Sequence, residues 1–211
     1  MRSEKLFRPF IRLMFNSHCG GIRLDEVSLM KRIGALLLCG ILLLPAAGAS
    51  GTPWPAWAAE ALAWGREKSV SRAFLASPGQ RLTRGAVARL LYESAGQPAA
   101  HEECPFSDVS EKDAAAVGWA AGQGYLTGVG DGTYEPGRPV TRQEFAAILW
   151  RQAGTPEVPV QGLERFGDAG TVSEWARDAV LWCQQAGVMA GRSGDKLAPE
   201  DTITTAEALV M

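Results

Sequence analysis

GDGTYEPGRPVTRQEFAAIL, residues 130–149, holds the start of a helix and the turn that leads into it. Thr141 followed three residues later by Glu144 is a capping box, and Val140 with Phe145 supplies the flanking hydrophobic staple. Phe145, Ile148, Leu149 and Ala153 then recur at helical spacing. Arg142 fits less well, because it sets a cation in the first turn, where the helix dipole favours anions. That misplaced charge asks for a partner outside its own helix.

Outward from this stretch the chain repeats itself, with a period of about sixty residues. Phe106-Ser107-Asp108 returns as Phe166-Gly167-Asp168, and Gly124-Tyr125-Leu126-Thr127-Gly128 as Gly187-Val188-Met189-Ala190-Gly191. Val140-Thr141-Arg142-Gln143-Glu144 returns as Ile203-Thr204-Thr205-Ala206-Glu207. Trp119-Ala120 is matched with Trp175-Ala176. A more divergent copy comes first, with Trp57-Ala58, Ser77-Pro78 and Leu82-Thr83-Arg84-Gly85-Ala86.

Each copy predicts a helix, a connection rich in Gly, Asp and Pro, and a second helix. Capping boxes at Ser110/Asp113 and Thr171/Glu174 are expected to open the first helices, which end at Gly124 and Gly187. The second helices start at Thr83, Thr141 and Thr204, and Gly96 and Gly154 end the first two of them. Pro-containing linkers at 97–105 and 155–162 separate copies at 54–98, 106–154 and 166–211. The fold class is therefore all-α: helix–loop–helix, three times. The last helix has about two turns where its sisters have about three, so the third copy reads as truncated, through a shortened reading frame or completion by a partner chain.

The ordered set F-x-D-V, W-A, G-x-x-x-G, D-G-x-x-x-P and [VI]-T-R-x-E resembles the S-layer homology domain, over roughly residues 54–211. The resemblance implies a pseudo-threefold, three-pronged bundle with grooves between the prongs. It also implies binding of secondary cell wall polysaccharide, often carrying pyruvate ketals, and anchoring of an exported protein at a bacterial surface. The family's T-R-x-E motif transfers whole to Arg142 and Glu144. At Arg84 it lacks the glutamate, which is Ala86, and in the third copy Thr205 replaces arginine while Glu207 remains. At most two grooves then carry the arginine.

The N-terminal region reads as targeting rather than fold. Met30 opens a run of two cations, an apolar stretch from Ile33 to Leu44 and a small-residue Ala47-Gly48-Ala49 site, the pattern of a secretory signal peptide at 30–49. Residues 1–29 read as a mis-assigned extension. The apolar stretch is too short to span a bilayer, so no membrane span is expected after cleavage. Residues 50–211 hold 14 basic and 20 acidic side chains, a balance of −6 that argues against nucleic acid as a partner. Cys104 and Cys183 fall in this part; outside the cell they can pair, or stay as buried thiols.

A pyruvate ketal carries a carboxylate, which a guanidinium grips with two parallel hydrogen bonds. Arg84 and Arg142 are therefore the candidate anion contacts, aided by unpaired N–H groups at the helix start; the alternative is a solvated surface cation. Glu144 and Glu207 double as caps. Trp119, Trp175 and Trp57 can stack on a sugar face, although a place within an amphipathic helix favours the core. Gly128, Gly130 and Gly132 permit positive φ or close approach of a sugar. Asp131 pairs with arginine or caps a turn.

No cofactor, metal or catalytic residue is nominated. Asp131-Gly132 lacks the alternating ligands of a calcium loop, and His101-Glu102-Glu103-Cys104 has no second ligand pair. There is no nucleophile motif and no indicated carboxylate pair, so the chain is not read as an enzyme. Beside wall anchoring stand an envelope protein–protein module with degenerate grooves, the remnant of a larger surface enzyme or adhesin, and a wall hydrolase.

Overall fold

The computed structural model describes residues 53–99, 103–158, 161–192 and 195–211. The expected extension at 1–29 and signal segment at 30–49 lie outside the described residues. Seven α-helices are described: α1 Ala59–Glu67, α2 Arg72–Leu75, α3 Arg84–Ser94, α4 Glu111–Gly122, α5 Arg142–Gln152, α6 Arg177–Gln185 and α7 Thr205–Val210. Among the described residues there is no strand, only isolated bridges, so the all-α expectation holds. No described helix is long and apolar enough to cross a membrane.

The second helix of each copy begins where the sequence predicts. Thr83, Thr141 and Thr204 are extended N-caps whose hydroxyls accept the N–H of Ala86, Glu144 and Glu207. Glu144 and Glu207 return the bond to the cap residue, completing two capping boxes. Val140 and Phe145 are 1% and 2% exposed, and burying the phenyl ring contributes about 2–3 kcal/mol. Gly96 and Gly154, at φ 81° and 83°, turn the chain out of α3 and α5.

The first helices start differently from the prediction. Ser110 does not accept a backbone N–H; its hydroxyl donates to the Asp113 carboxylate, which Arg89 of α3 holds at 2.5 Å. Thr171 lies in a 3-10 turn, Ala169–Thr171, with its hydroxyl on the Asp168 carbonyl. A second 3-10 turn, Glu174–Ala176, leads into α6. At the first start Arg89 of the preceding helix takes Asp113; at the second the Thr171 N–H and hydroxyl both donate to the Asp168 carbonyl, and the following Ser173 N–H donates to the Gln143 side-chain oxygen.

Helices pair across the sequence repeats. α3 packs on α4, α5 on α6, and α7 returns to α1. Each pair joins the second helix of one copy to the first helix of the next, and the last joins the ends of the described unit. At the centre the Val140 N–H donates to the Leu82 carbonyl (2.9 Å), Leu82 to Ile203 (3.0 Å) and Ile203 to Val140 (3.0 Å). The three side chains are at most 1% exposed. This closed ring gives the described unit its pseudo-threefold arrangement, which the sequence resemblance anticipated.

Candidate functional site

Around the ring, each second helix inserts its N-terminus into the loop of the following copy. The N–H groups of Arg84 and Gly85 reach the carbonyls of Arg138 and Pro136. Those of Arg142 and Gln143 reach Asp201 and Pro199, and those of Thr205 and Ala206 reach Gln80 and Pro78; all six bonds are 2.9 Å. With the threonine cap on the third N–H, the first-turn donors are spoken for. The expected anion site at unpaired helix N–H groups is therefore corrected: the neighbouring copy consumes them.

The first-turn arginines have the same partners in two places. Arg84 Nε donates to the Tyr134 carbonyl (2.7 Å) and Nη2 to Thr127 (2.5 Å). Arg142 Nε donates to Leu197 (3.0 Å) and Nη2 to Ala190 (2.7 Å), with Nη1 3.5 Å from Glu207. Arg142 is 3% exposed, so it is not a solvated cation. Burial lowers the pKa of both guanidiniums, with Tyr134 opposing this at Arg84 and Glu207 at Arg142. In the third copy Thr205, 1% exposed, closes the corresponding joint with its hydroxyl on the Gln80 carbonyl.

Asp108 and Asp168 shape the loops that receive these arginines, a role for which the sequence motif offered no chemistry. Asp108 accepts the N–H groups of Tyr134 and Glu135, and Asp168 those of Leu197 and Ala198. Glu135 and Ala198 have positive φ, 56° and 50°, a conformation side chains adopt reluctantly. The paired bonds from each carboxylate hold it in place. Desolvation opposes charge at both aspartates, yet these backbone donors outweigh it and leave each carboxyl below its ordinary value.

Between α3 and α5 a cleft of about 220 Å³ opens. Arg84, Arg138 and Arg151 line it with one acid, Glu144, over an apolar floor that includes Leu126 and Ile148, and Trp175 also reaches it. Arg138 bridges Glu144 (2.7 Å) and Glu135 (3.1 Å). Burial works against the Glu144 charge, but Arg138 and the Thr141 N–H prevail and hold its pKa below the usual carboxylate value. Arg138 and Arg151 were not singled out in the sequence; their signal was only basic character near a glycine-rich turn.

The tryptophans divide. Trp119 packs between Tyr92 and Tyr125, 5.7 Å from each ring centre. Trp175 and Trp57 are 57% and 61% exposed, at the 3-10 turns that precede α6 and α1. Counting back from Gly124 and Gly187, the helix C-terminal glycines, Trp119 aligns with Trp182 rather than with Trp175. The dipeptide match of the two Trp-Ala pairs is thus a shifted register, and Trp175 is on the surface rather than in the core.

Gly130 and Gly132 have positive φ, 118° and 71°, and Asp131 shares it at 52° on an exposed turn. Gly128 serves packing instead: a Cβ there would lie 2.6 Å from the Phe106 ring and 2.8 Å from the Thr133 carbonyl. Glu207 is held by Arg192, and the thiols of Cys104 and Cys183 are unpaired.

Comparison with known proteins places these features. The S-layer homology domain family matches residues 105–146 and 165–209. An endo-1,4-beta-xylanase A of Thermoanaerobacterium saccharolyticum is 32% identical over 105 residues, 48% of this chain and 9% of that protein. The chain thus spans under a tenth of the relative's length. The ordered motifs, the helical repeat and the family match agree: the chain carries S-layer homology domains at 105–146 and 165–209.

Proposed function

We propose that this protein retains an exported product at a bacterial surface by non-covalent binding of secondary cell wall polysaccharide, with no turnover. S-layer homology domains anchor proteins to the cell wall, and the finer reading concerns how this chain does so. The observation that carries it is the cleft between α3 and α5, with three arginines against one glutamate and Trp175 at its wall. Exposed tryptophan offers apolar area to a sugar ring; guanidiniums suit a carboxylate such as that of a pyruvate ketal. Arg84, Glu144 and Trp175 act in this cleft, with Arg138 and Arg151 added. Arg142 and Glu207 occupy the equivalent joint of the following copy. Asp131 and Gly132 sit on the neighbouring turn, and Trp119 supports the α3–α4 pair from inside.

Export through the segment at 30–49 belongs to the same proposal. The likeness to part of a xylanase supports a polysaccharide-acting enzyme as the kind of cargo so anchored.

Co-sedimentation of the purified protein with isolated walls, before and after mild acid removes ketal-linked pyruvate, tests the reading. Retention that falls with the ketal is expected. Equal retention by both walls would exclude the ketal, and retention by neither would exclude wall binding. Soluble sugar released during incubation would favour the hydrolase reading instead.

A further inference from the structure

The joint between α5 and α7 is built on the same plan as the cleft between α3 and α5, but its charges are rearranged. Glu207 stands where Glu144 does, and both are N3 residues of a capping box. Two positions before the central ring residue, Arg138 of the first joint becomes Asp201 of the second. One position after the shared glycine (Gly128, Gly191), Val129 becomes Arg192.

Arg192 lies across the second joint. Its Nε and Nη2 grip the two oxygens of Glu207 at 2.8 Å each, its Nη1 meets Asp201 at 2.5 Å, and Nη2 also reaches the Thr202 carbonyl at 3.1 Å. Four of the five guanidinium donor directions are thus turned inward. Arg142, the remaining cation, is buried on its two carbonyls. Two cations meet two carboxylates, and the charge is balanced within the protein.

The first joint is different. Glu144 is satisfied by Arg138, which leaves Arg84 and Arg151 without a compensating acid on the cleft wall. Arg84 is held by two carbonyls and lies 4.4 Å over the Tyr134 ring, with no carboxylate in ion-pair contact among the described residues, and Arg151 makes only a 3.5 Å contact to the Tyr125 carbonyl. An anion entering here meets uncompensated positive charge; in the second joint it would have to displace a two-pronged ion pair.

We propose that this chain binds one anionic sugar, in the cleft between α3 and α5, and that Arg192 acts as a built-in substitute ligand that closes the joint between α5 and α7. This rests on the anionic-glycan reading above and narrows it to a single groove. The third joint, with Gln80 at the Arg138 position and Ala86 at the Glu144 position, carries neither charge pattern.

The test is calorimetric titration of the full protein with a synthetic hexosamine bearing a pyruvate ketal, and with its neutral methyl ester as control. One site per chain for the acid and none for the ester is the expected result. Arg138→Ala, which frees Glu144 into the cleft, should weaken that site about tenfold. The paired exchange Arg192→Val with Asp201→Arg removes the internal ligand and sets an arginine where Arg138 stands in the first cleft, so weak binding at a second site should appear, with folding followed by circular dichroism.

Two sites in the unaltered protein would overturn the proposal without harming the anionic-glycan reading. Absence of any binding by the unaltered protein would remove the reading beneath it. The unaltered stoichiometry decides the point even if the double variant does not fold.

Discussion

Arg84 and Arg142 make the same two bonds in successive joints: Nε to the carbonyl of Tyr134 or Leu197, and Nη2 to the carbonyl of Thr127 or Ala190. A cation that opposes the dipole of its own helix is thereby repaid by carbonyl dipoles of the next copy. The arginine is a clamp between copies before it is anything else.

Removing the clamp should cost stability. Arg142→Ala leaves two inward carbonyls unpaired and takes a counter-charge from Glu207, a loss of roughly 3 kcal/mol. Chemical denaturation would show a lower midpoint. Arg142→Lys should recover little of it, since one ammonium cannot span both carbonyls. An unaltered midpoint for Arg142→Ala would contradict the clamp.

Acid should loosen the loops. Asp108, Asp168, Glu144 and Glu207 all have folded-state pKa values below their ordinary ones. A depressed carboxylate contributes stability that is fully present above its unfolded value, near 4, and is lost as pH falls through the folded value. Melting temperature should therefore drop on acidification below about pH 4. In the double variant Asp108→Asn with Asp168→Asn, the drop should be shallower.

Gly128→Ala should destabilise by roughly 1–3 kcal/mol, because its Cβ meets the Phe106 ring and the Thr133 carbonyl. Gly130→Ala, whose Cβ would meet nothing within 4 Å but whose φ is 118°, should cost through backbone strain alone. Differential scanning calorimetry of the two variants, with Phe106→Ala added to each, separates the effects: only Gly128→Ala should couple to residue 106.

Cys183 should resist alkylation in the folded protein. Burial pushes its thiol up to about 12, and its Sγ lies against the Ala146 carbonyl at the α5–α6 contact. Mass spectrometry after brief iodoacetamide treatment should find Cys104, which is half-buried, modified before Cys183. Modification of both at equal rates would contradict the close packing of α5 on α6.

Local grammar made the helices legible: Thr141, Glu144, Val140 and Gly154 announce α5 without tertiary information. Arg142 was legible as an anomaly, but its solution lies in Leu197 and Ala190, carbonyls of the following copy that no local pattern identifies. The paired Trp-Ala dipeptides misled for a related reason. Identity of two residues outweighed the helix-ending glycines, which fix the register and set Trp119 with Trp182. Arg138 and Arg151 escaped notice because their meaning depends on α3 and α5 facing one cleft, and Arg192 because its importance comes from Asp201 replacing Arg138.

The most direct test of the anchoring account is wall co-sedimentation of Trp175→Ala with Arg151→Ala, two surface changes in the α3–α5 cleft, beside the unaltered protein and with melting temperatures measured in parallel. The account predicts wall affinity reduced at least about tenfold with an unchanged melting temperature. Undiminished wall binding by the folded variant would contradict it.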